Sequence, residues 1–138
     1  MAVDPNYRTL RRRAKELLVA ATSDVDPDSQ ALFLFYAVEC GLKALYMDHH
    51  KLATASAEGS RAQSAKSFGH RLDDLIAALR VPAQRVSPRP QRLCLRNGDV
   101  LQVLELHEAW RYGEKVDTHV DVVAWLEAVA THVKQGLR

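Results

Sequence analysis

The chain has 138 residues, 47% of them hydrophobic and 26% charged, with a net charge of +2. That is one domain of ordinary soluble composition, spanning 1–138 and long enough to bury roughly two-thirds of its unfolded surface without covalent staples. No window is long and apolar enough to cross a membrane, and the opening Met-Ala-Val-Asp-Pro starts no apolar leader. Cys40 and Cys94 have no metal-ligand spacing, so a reduced, cytoplasmic protein is expected.

The small net charge hides a segregation along the chain. Residues 61–96 carry eight bases against two acids, and no acid falls between Leu75 and Gly98. Arg80, Arg85, Arg89, Arg92 and Arg96 accumulate there. Such a run can hold phosphates, with Arg85, Arg89 and Arg92 at its centre, or it can be a solvated loop that answers the acidic segments on either side.

In chain order, Asp4-Pro5 predicts a helix opening, because Asp accepts from free amides and Pro tolerates the first helical position. Leu10, Ala14, Leu17, Leu18 and Ala21 then recur at helical spacing, giving a first helix over about 5–22. Asp26-Pro27 repeats the signal and opens the longest helix, to about Ala55. Its core stripe is Ala31, Leu34, Phe35, Val38, Leu42 and Leu45. Beside that stripe runs a second row of Leu32, Tyr36, Glu39, Lys43, Tyr46 and His50. Glu39 and Lys43 have the favourable acid-before-base order four apart. The row predicts either a polar seam between helices or a solvated flank with one modest ion pair.

Residues 53–67 are small and polar without apolar period and predict a mobile loop. A third helix is expected from near His70 to about Leu79, facing the core with Leu72, Leu75, Ile76 and Leu79. Residues 81–92 hold three prolines and predict an irregular crossover. A fourth helix is expected to follow Asn97-Gly98 and end near Trp110, before Gly113. Asp117 or Thr118 caps the last, to about Lys134, with Val120, Val123, Leu126, Ala130 and Val133 as its stripe. Only Arg92-Leu-Cys-Leu-Arg96 reads as a candidate strand. The expected fold is therefore all-α, an antiparallel bundle of four to five helices.

Three blocks place polar residues in or beside an apolar stripe: Tyr36-Ala-Val-Glu39-Cys-Gly-Leu-Lys43-Ala-Leu45, Gly69-His70-Arg-Leu72-Asp-Asp-Leu75, and Trp110-Arg111-Tyr112-Gly113. Their order and spacing resemble the HEPN family (higher-eukaryote and prokaryote nucleotide-binding domains). These are small helical bundles found among bacterial toxins and antiphage ribonucleases, and the resemblance covers about Gln30 to Trp125. It implies a homodimer from a toxin–antitoxin or defence setting, with RNA or a cognate antitoxin or effector protein as partner and no cofactor. Nuclease members of the family place an Arg a few residues before a His at the dimer cleft. Guanidinium grips phosphate in a fork, and imidazole moves a proton near neutrality.

Here the candidates are Arg111 with His119, eight positions on, or with His107, four positions earlier on the same helix face. These pairs depart from the family spacing, so two classes stay open. One is a metal-independent endoribonuclease with an atypical Arg/His site. The other is a non-catalytic helical module that binds a partner such as a nucleotidyltransferase-like antitoxin. In the second reading Arg111 pairs with Glu39 across two helices and Tyr112 helps cover the bundle end. By resemblance His70, after Gly69, is a cap packed on the long helix, and Tyr112 is also a candidate modification target. No histidine has the spacing or carboxylate company of a metal site.

Overall fold

Asn6, one residue after the expected Asp4-Pro5 pair, caps the first helix. In the computed structural model, which describes residues 3–138, α1 spans Tyr7–Ala20 and the Asn6 side chain accepts from the Thr9 amide at 3.0 Å. Asp4 instead accepts from both the amide and the hydroxyl of Ser56, and these bonds hold its carboxyl below the usual range. The Ala55 amide donates to the Pro5 carbonyl beside it. The segment before α1 is therefore strapped to the chain that leaves the second helix.

That second helix, α2, spans Pro27–His50 and opens as the sequence predicts, with Asp26 accepting from the Ser29 amide. It stops before the predicted Ala55, at Lys51, whose φ of +56° is left-handed. The segment expected to be a mobile loop is bonded and packed. Ala55, Ala65 and Phe68 are buried, a short 3-10 helix runs over Ala65–Phe68, and the Lys66 amide donates to the Ala55 carbonyl. Tyr46 donates to the Gln63 carbonyl across it. Alanines fit the narrow space beside α2, and such filling leaves no hydrophobic period to read.

The next helix, α3, covers Leu72–Ala78 and buries Leu72 and Leu75; His70 and Arg71 lie before it. After a 3-10 turn at Ala83–Val86, Arg92–Arg96 forms no strand. Cys94 and Leu95 make isolated bridges to Val100 and Val116. A 3-10 turn at Val103–Glu105 leads into α4, Leu106–Arg111, a helix shorter than predicted. The last helix, α5, spans His119–Gly136. Its predicted stripe is out of phase at the start, for Val120 is exposed, while Val122, Trp125, Leu126, Val129, Ala130 and Val133 are buried. Trp125 sets that phase, because a large indole buries more apolar area than a valine does.

α2 packs against each of the other four helices, which explains why it is apolar nearly all round. Ala31, Phe35, Val38 and Leu42 of its predicted stripe are fully enclosed. Each large buried side chain contributes about 1.5–3 kcal/mol by leaving water. Arg11 closes the bundle by donating from Nε to the Leu137 carbonyl at 2.6 Å, tying the end of α5 to α1. Among the described residues there are five α-helices and no strand, and no helix is long and apolar enough to cross a membrane.

Candidate functional site

The polar row of α2 becomes a seam because three elements close over it. Tyr36, Glu39 and Lys43 rise from one face of α2 at spacings of three and four. The turn before α3 supplies His70, and Gly69 makes that turn at φ +57° and ψ −124°, a backbone shape open chiefly to glycine. From α4 come His107 and Arg111, one helical turn apart. Phe35 floors the cluster, its ring stacked on His107 with centroids 5.6 Å apart.

The hydrogen bonds form two short chains that meet at the histidines. Lys43 Nζ donates to Glu39 Oε2 at 3.0 Å, and His70 Nδ1 lies 2.6 Å from Glu39 Oε1. An ionised carboxylate only accepts, so His70 carries its proton on Nδ1. In the second chain Arg111 Nη2 donates to Tyr36 Oη at 2.5 Å and approaches His107 Nδ1 at 3.1 Å, while Tyr36 Oη stands 3.0 Å from the same nitrogen. A guanidinium never accepts, so His107 Nδ1 holds a lone pair and the ring proton sits on Nε2. The two imidazole rings face each other with centroids 3.9 Å apart.

Exposure separates these groups by role. Glu39 and Lys43 side chains keep only 12% and 13% of their surface, whereas the His70 side chain keeps 41%. His107 is enclosed at 3%, and its Nε2 has no hydrogen-bond partner among the described residues; Glu108 Oε1, at 4.0 Å, is too far. Burial first, then the neighbouring His70 and the Arg111 guanidinium, hold the His107 imidazole below its ordinary value, so it is neutral. Arg111 is exposed at the end of α4, and its bond to Tyr36 pushes its already high value up further. The cluster thus offers a fixed, fully charged guanidinium and a carboxylate-held imidazole on either side of a buried neutral one.

No protein-family model, curated protein or solved structure matches this chain.

Several expected placements are corrected. Arg111 does not pair with Glu39, because Lys43 and His70 already occupy both carboxylate oxygens and Arg111 is taken up by Tyr36 and His107. His70 is not a cap. The N-cap position of α3 belongs to Arg71, which makes no side-chain capping bond. His119 does not reach back to Arg111; its Nδ1 accepts from the Trp110 indole at 3.2 Å, and its ring lines a separate cavity of about 360 Å³ beside α1 and α2. Tyr112 is exposed, lying beside Arg111 instead of covering the bundle end.

The basic run does not converge either. Arg85 stands beside Thr131, His132 and Gln135, whereas Arg89 and Arg92 line a groove with Arg71, Asp73 and Asp74. Arg89 is answered by Asp73 at 3.8 Å and lies over the Trp125 ring. Among the described residues no group of three His, Cys, Asp or Glu side chains is placed to hold a metal ion. Tyr36 is the member that sequence reasoning left out of the site. Its only signal is its place in the flanking row, one turn before Glu39, where a buried helix would usually carry an aliphatic residue.

Proposed function

We propose that this chain is a HEPN-like, RNA-directed protein of a bacterial toxin–antitoxin or defence system, acting as a metal-independent endoribonuclease at the Arg111 end of the polar seam. One observation carries the reading: an exposed guanidinium and a half-exposed imidazole are anchored from below by a buried network that leaves them little freedom. Preorganised donors of this kind stabilise the charge that builds on a phosphodiester during attack by a ribose hydroxyl. Guanidinium suits the non-bridging phosphate oxygens because it stays charged and presents parallel donors. The resemblance adds a second copy of the chain, whose matching helix end would close the cleft.

Purified protein incubated with mixed RNA in excess chelator tests the reading. Wild type should cleave, and Arg111→Ala should lose about 100-fold or more of the rate. Because Arg111 is exposed and not the mate of a buried Glu39, the variant should melt within a few degrees of wild type, so loss of cleavage would not be loss of fold. Tyr112, mostly exposed beside Arg111, favours a second reading in which this end of the molecule docks on a partner protein. Absence of cleavage by wild type under all RNA and salt conditions would select it.

A further inference from the structure

We infer that His70, held by Glu39, is the residue that moves the proton in this site, and that His107 is a positioning residue. The inference rests on the endoribonuclease reading above and assigns roles within it. Of the six histidines, only His70 has one nitrogen on a carboxylate and the other without a partner among the described residues, at the surface and one ring away from a guanidinium.

His107, the histidine nearest Arg111, is excluded by its own bonds. Its Nδ1 lone pair faces two donors, Tyr36 and Arg111, and its Nε2–H is buried. A substrate hydroxyl has no path to either nitrogen of a ring that is 3% exposed. His119 is engaged with Trp110, and His132 Nδ1 is buried on α5. His49 and His50 stand together at the end of α2, with His50 against Tyr46.

His70 has the arrangement that a general base requires. Glu39 accepts from Nδ1–H, which fixes the tautomer and leaves the Nε2 lone pair facing outward, and it stabilises the imidazolium once that forms. Lys43 holds the other carboxylate oxygen, so Glu39 cannot swing away. The His107 ring lies against His70, tilted by 37° with centroids 3.9 Å apart, while its Nδ1 receives Arg111, so one buried ring sets the positions of both working groups. In the cleavage step Nε2 takes the proton of a ribose 2′-hydroxyl. The 2′-oxygen forms a bond to phosphorus as the bond from phosphorus to the 5′-oxygen breaks, and water supplies the proton to the departing 5′-oxygen. The products are a 2′,3′-cyclic phosphate and a 5′-hydroxyl, with no oxidant or metal in the balance.

The experiment measures RNA cleavage in chelator by wild type, His70→Ala and Arg111→Ala, with and without free imidazole, alongside thermal melts. His70→Ala should lose about 100-fold or more of the rate, and imidazole should restore part of it, because the truncated site opens to solvent. Arg111→Ala should lose the rate without rescue. A structural role for His70 would give no rescue. Cleavage at the wild-type rate by His70→Ala, or a loss that imidazole leaves untouched, would overturn the inference while leaving the nuclease reading in place. If wild type cleaves nothing, the nuclease reading and the proton-transfer role both fall. Ring-nitrogen NMR with uridine 3′-phosphate then decides the anion site separately: a shift of the His70 ring that Arg111→Ala abolishes keeps it, and no shift removes it.

Discussion

Enclosure by Phe35, Tyr36 and His70, followed by the nearness of His70 and the Arg111 guanidinium, holds His107 below its ordinary value of 6.5. Burial and the charge of Arg85 do the same to His132. In the unfolded chain both rings take up protons as pH falls through 6.5, while the folded chain resists until lower pH. Their contribution to stability is therefore complete above that value and is lost as pH falls toward the folded values. The melting temperature should drop as pH falls below about 6.5, and a His107→Gln, His132→Gln double variant should flatten that slope. An unchanged slope in calorimetry would refute it. Asp4 and Asp26, lowered from 3.8 by their serine bonds, act only in a more acidic window and do not confound the measurement. At this scale the sequence named Glu39, Lys43, His70, His107 and Arg111 and the Glu39–Lys43 pair, but not the contacts of His70 with Glu39 or of Arg111 with Tyr36. Spacing of three and four places side chains on one helix face, yet a carboxylate with two candidate cations is assigned only by which one arrives.

Among the elements, the turn before α3 matters most to the site although it is not a helix. Gly69 lies in a backbone region that a Cβ disfavours, with nothing packed within 4 Å of where the Cβ would stand, so any penalty is torsional and not steric crowding from neighbours. Gly69→Ala should therefore cost about 1–3 kcal/mol of stability. It should also turn His70 off Glu39, and proton NMR of the bonded imidazole N–H would report that loss. Wild-type stability together with an intact resonance would contradict this account. Strong local signals were legible here: Asp26-Pro27 starts α2 where predicted, and Gly113 follows the end of α4. Weak ones were not, because Asp4-Pro5 has the same chemistry as Asp26-Pro27 but found a better partner in Ser56, fifty-two residues away.

At the scale of the whole molecule, α2 and α5 approach closely through Gly41. An ideal Cβ there would collide with Val133 of α5, and one at Gly136 would meet Leu45 at 2.8 Å. Gly41→Ala gains about 1 kcal/mol of helix propensity. It costs about 1–3 kcal/mol in overpacking against a buried valine, so the net effect should be destabilising. Adding Val133→Ala to Gly41→Ala should cost less than Val133→Ala costs alone, since each substitution makes room for the other. Additive losses in chemical denaturation would show that the two helices can separate freely.

By itself the sequence determined the helical class, α2 as the longest helix and the residue types of the polar seam, because periodicity and end signals are local physics read over one or two turns. Tertiary structure decided which histidine stands free, where Arg111 binds and how the basic run divides. Those outcomes depend on which of several compatible partners reaches a given atom first, and on how deeply each is then removed from water.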